Sequence, residues 1–440
     1  MAGIFKAYDI RGIVGKDLTE EIAQKIGRAF ASFLKPRKVV VGQDMRSHSE
    51  AMFQALASGL TMQGSDVIRL GLCSTPMSYF ANGILEADAS LMITASHNPG
   101  EWNGFKLCRE KAIPISGETG IREIEERVVD EDFEPPLGNP GSIEEHDVLQ
   151  EYAVHIKKLS ALKRPTRIVA DYANAMGILE AEGLKSLIHI EPMYDNFDGS
   201  FPNHEANPLK QETLSALQKK VRTGNYDFGV AFDGDADRVG FVDERGAIIP
   251  MDLITALIAQ SILKNVKGNV LYDLRSSWSV KEVIEESGGI PHVSRVGHAF
   301  IKQQMRDIQA VFAGEMSGHY YFRNNFFTES SAMAVLSIAN LVSQLNQPLS
   351  KLVEPVCRYF KSPEINSEVK NAQALFKRIR QTYKGGKVME LDGLSIEFDD
   401  WWFNVRASNT EPLVRLNLEA RSQALLDQRV AEVLKIIRSE

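Results

Sequence analysis

The chain has 440 residues, of which 44% are hydrophobic and 25% charged, and its formal net charge is −8. Those proportions exclude a disordered or fibrous protein, and the length exceeds what one hydrophobic core supports, so roughly two to four domains are expected. The negative balance argues against nucleic acid, whose backbone attracts an excess of Lys and Arg, but leaves small anions open because backbone N–H groups and a few placed cations dominate at short range. Along the chain, Thr19 to Leu34 reads as a helix, with Thr19 as cap and Ile22, Ile26, Phe30, Phe33 and Leu34 at helical spacing. Short β-branched runs follow at Lys38 to Gly42, Asp66 to Leu70, Leu91 to Thr94, Arg167 to Ala170, Phe228 to Phe232 and Asn269 to Tyr272, each trailed by a helical pattern. This alternation predicts α/β architecture with largely buried strands.

The acidic, proline-bearing stretch Val128 to Pro140 reads as a linker or long loop, and a second boundary is expected near Pro250, where the amphipathic run Met251 to Ile262 begins. A third is expected around Lys361 to Glu368. No fixed-period repeat is visible, which argues against solenoids and propellers. Cys73, Cys108 and Cys357 form neither a CxxC pair nor an even-numbered framework, pointing away from disulfides and zinc and toward a reducing compartment. Asp9 and Arg11 interrupt the start of the chain before an apolar signal region develops, and no later run suits a bilayer, so a cytoplasmic location and no membrane partner are expected.

Four loops carry chemistry. Thr94-Ala95-Ser96-His97-Asn98-Pro99 follows an apolar strand, where a parallel sheet exposes its functional loops, and Lys106 lies close behind it. Asp233, Asp235 and Asp237, spaced by Gly234 and Ala236 and followed by Arg238, can turn onto one hard cation such as Mg2+, Mn2+ or Ca2+. An EF-hand fits positions 1, 3, 5 and 12 but fails at position 6, where Arg238 replaces the turn glycine. Gly314-Glu315-Met316-Ser317-Gly318-His319 offers acceptors and donors suited to a polyhydroxyl ligand. Arg406-Ala407-Ser408-Asn409-Thr410-Glu411-Pro412 packs a guanidinium, hydroxyls and an amide into a candidate anion nest.

Taken together, the four loops resemble the α-D-phosphohexomutase superfamily in order and spacing over nearly the whole chain. The third loop, followed by an aromatic pair, resembles the phosphomannomutase/phosphoglucomutase branch, since glucosamine-phosphate mutases usually carry Gln at the Met316 position. The resemblance implies three α/β domains of related mixed-sheet topology and a C-terminal α+β domain around a central cleft, divided as 1–147, 148–251, 252–361 and 362–440. It implies Ser96 as a phosphorylated serine, Asp233, Asp235 and Asp237 as Mg2+ ligands completed by the phosphoserine, and Glu315, Ser317 and His319 as sugar contacts. Arg406, Ser408, Asn409 and Thr410 would grip the distant phosphate. Tyr8, Arg11, His97, Lys106, Arg238, Gly297 and His298 match further active-site positions, and Arg275 stands where many relatives have Lys. The implied reaction interconverts hexose 1- and 6-phosphates of mannose or glucose through a hexose 1,6-bisphosphate, the enzyme being a monomer or homodimer. A glucosamine-phosphate mutase, a metal-dependent sugar phosphatase and a noncatalytic sugar-phosphate-binding paralogue are the alternatives. Lys106, His97 and His298 remain equal candidates for the general base.

Overall fold

The computed structural model describes residues 3–407 and 413–439. Glu20–Leu34 is helical, and Thr19 Oγ1 accepts from Ile22 N at its start, as its position predicts. Ala23, Ile26 and Phe30 bury the apolar face of that helix. The expected strands form within a residue or two of their expected ends: Lys38–Gln43, Asp66–Leu72, Ala89–Ile93, Arg167–Asp171, Phe228–Phe232 and Asn269–Asp273. Ala89–Ile93 and Phe228–Phe232 are buried throughout, which parallel strands covered on both faces require.

Four sheets organise the chain, and the first three share one pattern. In the first, Asp66–Leu72, Lys38–Gln43 and Ala89–Ile93 lie parallel, then Trp102–Arg109 and Ile10–Ile13 continue antiparallel. The second sheet repeats the sequence of pairings with His189–Met193, Arg167–Asp171, Phe228–Phe232, Val239–Asp243 and Ile248–Ile249. Ile290–Ser294, Asn269–Asp273, Phe312–Gly314, Tyr320–Phe322 and Thr328–Glu329 repeat it again in the third. Sheet one alone adds an edge strand, Ile143–Glu145, beside Asp66–Leu72. The repeat is thus one of pairing, with no matching period in the residues.

This pattern places the chemistry. In every one of the three sheets, the turn from the third parallel strand into its antiparallel neighbour is a loop singled out above: 94–101, 233–238 and 315–319. Three equivalent hairpins therefore carry the serine, the aspartates and the glutamate–histidine group. The fourth sheet is antiparallel, built from Phe360–Lys361, Ile365–Glu368, Lys387–Met389, Leu394–Glu397, Trp401–Ala407 and Leu413–Ala420, with helices Ala372–Thr382 and Gln423–Ile437 against it.

Two expected boundaries take a definite form. Helix Arg122–Asp130 runs past Val128 and ends at Glu131 in a left-handed conformation, after which the chain is irregular up to Ile143. Pro250 caps helix Met251–Asn265, which outruns the expected end at Ile262. One hydrophobic cluster reaches into each of the first three domains, from Val40 to Val356, beside a further cluster confined to the first, from Ile4 to Val128, whereas the fourth shares no cluster with them and has its own, from Leu375 to Ile437.

Candidate active site

Ser96 is buried, and its φ of 53° lies in the left-handed region that a residue with a Cβ seldom adopts, a strain of about 1–3 kcal/mol that surrounding bonds must offset. Those bonds come largely from Arg46, a buried guanidinium that the sequence reading passed over. Its Nη1 donates to Pro99 O (2.6 Å) and Trp102 O (2.9 Å), its Nη2 to Ser96 O (3.0 Å) and Asn98 O (2.7 Å), and its Nε to Asp44 Oδ2 (3.0 Å). Arg11 adds a side-chain bond, Nη1 to Asn98 Oδ1 at 2.8 Å, while its Nε is held by Asp9. So fixed, Ser96 Oγ points across the domain boundary, donating to Asp233 Oδ2 at 3.0 Å with His97 Nδ1 3.1 Å away. Burial, then Arg238 and Arg11, hold the His97 ring well below its ordinary pKa and keep it neutral.

The aspartate loop meets the serine loop at backbone distance. A Cβ on Gly234 would lie 2.2 Å from Ser96 O, so only glycine permits this approach. Asp233, Asp235 and Asp237 are all buried, and each brings a carboxylate oxygen within 4.8 Å of the others. Lys106 Nζ sits between two of them, 2.5 Å from both Asp235 Oδ2 and Asp237 Oδ2. Lys106 and Arg238, whose Nε lies 3.7 Å from Asp233 Oδ2, do not balance three buried carboxylates: burial, then Asp237 and Asp235, push the Asp233 carboxyl well above its usual range. Burial also opposes charge on Asp237, but Lys106, His319 and Arg238 outweigh it and hold that carboxyl well below the usual range. Asp235 Oδ1 and Asp237 Oδ1 are buried with no hydrogen-bond partner among the described residues, although His319 lies in ion-pairing range of the second. Three clustered carboxylates, two of them with an orphaned oxygen, fit a divalent cation of the Mg2+ class.

The third loop faces the second. His319 Nε2 lies 3.2 Å from Asp237 Oδ1 and 3.3 Å from Arg238 Nε, and its Nδ1 lies 2.9 Å from Ser317 Oγ. Ser317 Oγ in turn donates to Glu315 Oε2 at 3.1 Å, and Tyr321 OH donates to Glu315 Oε1. His298 stacks beside His319 with ring centroids 6.4 Å apart, and burial, then Lys302 and Lys106, keep it neutral. Tyr8 meets His298 edge to face, and its hydroxyl fills the space beside Gly297, where a Cβ would come within 2.8 Å of it at a φ of +128°.

Arg275 is gripped by Asp273, Nη2 to Oδ2 at 2.8 Å and Nε to Oδ1 at 3.2 Å, and Asp273 Oδ2 also accepts from Met316 N (2.8 Å), tying that arginine to the third loop. A second residue the sequence reading passed over joins Arg275 to Arg406. Glu364 Oε2 is 3.7 Å from Arg275 Nη1 and 3.4 Å from Arg406 Nη2, while its Oε1 is 3.5 Å from Arg415 Nη1. Three guanidiniums thus converge on one interdomain carboxylate, a surplus of positive charge suited to an anion. Ser408, Asn409 and Thr410 lie outside the described residues.

Each singled-out residue within the described chain therefore falls into one chain of contacts, from Arg11 and Ser96 through the aspartates to His319, Arg275 and Arg406. No helix among the described residues is long and apolar enough to cross a membrane. Models of the phosphoglucomutase/phosphomannomutase family match in order: alpha/beta/alpha domain I at residues 2–135, domain II at 150–246, domain III at 250–359 and the C-terminal domain at 364–436. A phosphomannomutase of Escherichia coli is 40% identical over 99% of each chain. A protein of Xanthomonas campestris pv. campestris described as "Phosphohexose mutases" is 41% identical, again over 99% of each. Among solved structures, a phosphoglucomutase/phosphomannomutase family protein from Burkholderia thailandensis superposes with a TM-score of 0.91 at 33% identity, covering 99% of this chain and 98% of that one. Full-length identity and the match to all four domain families show that the chain belongs to the phosphoglucomutase/phosphomannomutase family, and it is accordingly a phosphohexomutase, an isomerase.

Proposed function

We propose that the chain interconverts the 1- and 6-phosphates of mannose and/or glucose, with Ser96 as phosphoryl carrier and a hexose 1,6-bisphosphate as intermediate and activator. The observation that carries this reading is the single contact between Ser96 Oγ and Asp233 Oδ2 at 3.0 Å, which sets a buried hydroxyl against a cation-ready carboxylate cluster. In this reading Asp233, Asp235, Asp237 and an oxygen of phosphorylated Ser96 hold Mg2+. When bound, the ion supplies charge neutralisation for the phosphoryl group. The chain divides into units 1–147, 148–251, 252–361 and 362–440, each giving the cleft one loop.

Phosphoryl transfer needs alignment and charge balance more than covalent help from the protein. Phosphoserine gives its phosphoryl group to the free hydroxyl of a sugar monophosphate. The P–O bond to Ser96 Oγ breaks, a P–O bond to the sugar forms, the sugar hydroxyl loses its proton and Ser96 Oγ regains one. Arg11, Lys106 and Arg238 offset charge on the transferring group, and His97, next to Ser96 Oγ, manages the proton there. The hydroxyl's proton passes to an imidazole of the His298–His319 pair, since the Lys106 ammonium is engaged by two aspartates. The bisphosphate then turns and returns its other phosphate to Ser96. Glu315 and Ser317 serve the sugar hydroxyls in both orientations, Tyr8 and Gly297 shape the wall beside them, and Arg275, Arg406, Ser408, Asn409 and Thr410 anchor the distant phosphate.

The test offers mannose, glucose and glucosamine 1-phosphates separately with Mg2+ and a hexose 1,6-bisphosphate, measuring 6-phosphate and free phosphate together. Mutase turnover on mannose or glucose phosphate with little free phosphate is expected, and Ser96→Ala should abolish it. Steady release of free phosphate, or full activity in Ser96→Ala, overturns the reading.

A further inference from the structure

Three consecutive carbonyls of the aspartate loop are each bonded by a different domain. Gly234 O accepts from Met176 N (3.3 Å) of the second domain, Asp235 O from Thr75 N (3.0 Å) of the first, and Ala236 O from Ser331 Oγ (2.7 Å) of the third. Thr75 Oγ1 also donates to Asp235 Oδ2. The loop that gathers the carboxylates is therefore set by how three domains meet. Ala236 adds to the demand, since its φ of 59° is held by that setting.

Behind these three donors lies one side chain. Glu180, in helix Gly177–Glu182 just after Met176, is fully buried and has no Lys, Arg or His in ion-pairing distance among the described residues. Its Oε1 accepts from Ser74 Oγ (2.5 Å), the neighbour of Thr75. Its Oε2 accepts from Ala332 N (3.0 Å), the neighbour of Ser331, and from Tyr152 OH (3.1 Å). Ser74 belongs to the first domain, Tyr152 to the second and Ala332 to the third. A buried carboxylate without a cation is costly unless donors surround it, and burial pushes this one up to about 7, with Asp237 as a further raising influence against its three donors. Nothing in its local sequence accounts for such a residue in a core. Its donors do, because each stands beside a residue that grips the aspartate loop or, for Tyr152, the Ser330 hydroxyl that starts the next helix.

We infer that Glu180 is a positioning residue for phosphoryl transfer: it is the joint that locks the first and third domains onto the second, so that Thr75, Met176 and Ser331 hold the aspartate loop in register with Ser96. The inference rests on the proposed function, because it takes the three aspartates to be the metal site. In Glu180→Gln the amide oxygen keeps Tyr152 and Ala332, but the amide N–H group faces Ser74 Oγ, which must turn, and the grip of Thr75 on Asp235 slackens.

Mn2+ is the probe, titrated calorimetrically into the full chain, with Asp235→Asn as the control for site identity. Glu180→Gln and Ser331→Ala should each weaken Mn2+ binding about tenfold, and the double variant should lose less than the sum, since both act through one loop. Their kcat should fall with KM for sugar phosphate little changed, because the distant phosphate anchor is elsewhere. Tyr152→Phe removes a Glu180 bond and one to Ser330 Oγ but leaves the grip bonds of Thr75 and Ser331 in place, so it should lower Tm while weakening Mn2+ binding less than twofold. Should the parent bind Mn2+ but Glu180→Gln bind it within twofold, or should affinity simply track Tm across all variants, the joint is refuted and the metal site stands. If the parent itself binds no Mn2+, or Asp235→Asn binds as well as the parent, the metal site fails and the joint with it. Were Glu180→Gln not to fold, Ser331→Ala against Tyr152→Phe decides by the same criterion.

Discussion

Arg46→Lys keeps the charge beside Asp44 and removes the fork. The guanidinium meets four loop carbonyls, those of Ser96, Asn98, Pro99 and Trp102, from two nitrogens aimed in different directions. A lysine ammonium carries its donors on one atom, so after satisfying Asp44 it reaches one or two of the four. Two or three carbonyls of a partly buried loop then lose a donor at a net of about 0.5–1.5 kcal/mol each, a loss of about 1–4.5 kcal/mol concentrated on one loop. The loop is expected to open to water long before the whole molecule unfolds, because the bonds serve local geometry and not the core. Hydrogen–deuterium exchange over residues 90–106 should rise sharply in the variant while the fourth domain exchanges as before. A Ser96 displaced by about 1 Å should cost about a hundredfold in kcat. Parental exchange in that segment together with parental turnover would falsify the idea that Arg46 sustains the left-handed geometry of Ser96.

Gly234→Ala should inactivate and destabilise together: the added methyl meets Ser96 O at 2.2 Å, so the two loops must part, kcat should drop by about two orders of magnitude, and stability should fall by about 1–3 kcal/mol. Lys106→Met leaves Asp235 buried without its cation and Asp237 with only His319 and Arg238, a loss of about 3–5 kcal/mol without metal, and added Mg2+ should raise the Tm of the variant more than that of the parent. Glu180 gives a pH signature. Its pKa is raised from 4.5 to about 7 on folding, so the stability it gains from proton uptake is complete below about pH 4.5 and lost as the pH climbs through about 7, a span of about 3 kcal/mol. Urea midpoints measured between pH 5 and 8 should carry that decline in the parent and lose it in Glu180→Gln; an unchanged slope would mean the carboxyl titrates normally.

The strands and the reactive loops were legible because their signals are local. Phe228–Phe232 has the ends its apolar run predicts, and Asp233, Asp235 and Asp237 announce themselves by alternate spacing right after it. The kinship of the three sheets was not legible in any residue period. Pairing order defines it, and the first sheet draws its fifth strand from Ile10–Ile13 at the start of the chain, whereas the others take Ile248–Ile249 and Thr328–Glu329 from downstream. Arg46, Thr75, Glu180, Ser331 and Glu364 were invisible for a different reason. Each works on partners 28 to 160 residues away, or through carbonyls that every residue has, and a lone Arg in Gln43-Asp44-Met45-Arg46 carries no mark of that use.

Where the cores merge and where they part matches the demands of the proposed reaction. Ser96 and the aspartates must keep a fixed distance, and they sit where the first three domains share one hydrophobic cluster and one buried joint. In the proposed reaction a bisphosphate that turns between two transfers would need room, and the fourth domain is attached through polar contacts instead, among them Trp278 Nε1 to Glu397, Trp278 N to Glu419, Val296 N to Asp392 and Arg275 to Glu364. Its separate core lets it shift as a body at the cost of such contacts, each worth about 1 kcal/mol, without disturbing the packing that holds Ser96 against Asp233. Glu364 lies where the third and fourth domains meet, its carboxylate among arginines from both, so a phosphate bound by Arg275 and Arg406 would pull together the two parts that are free to separate.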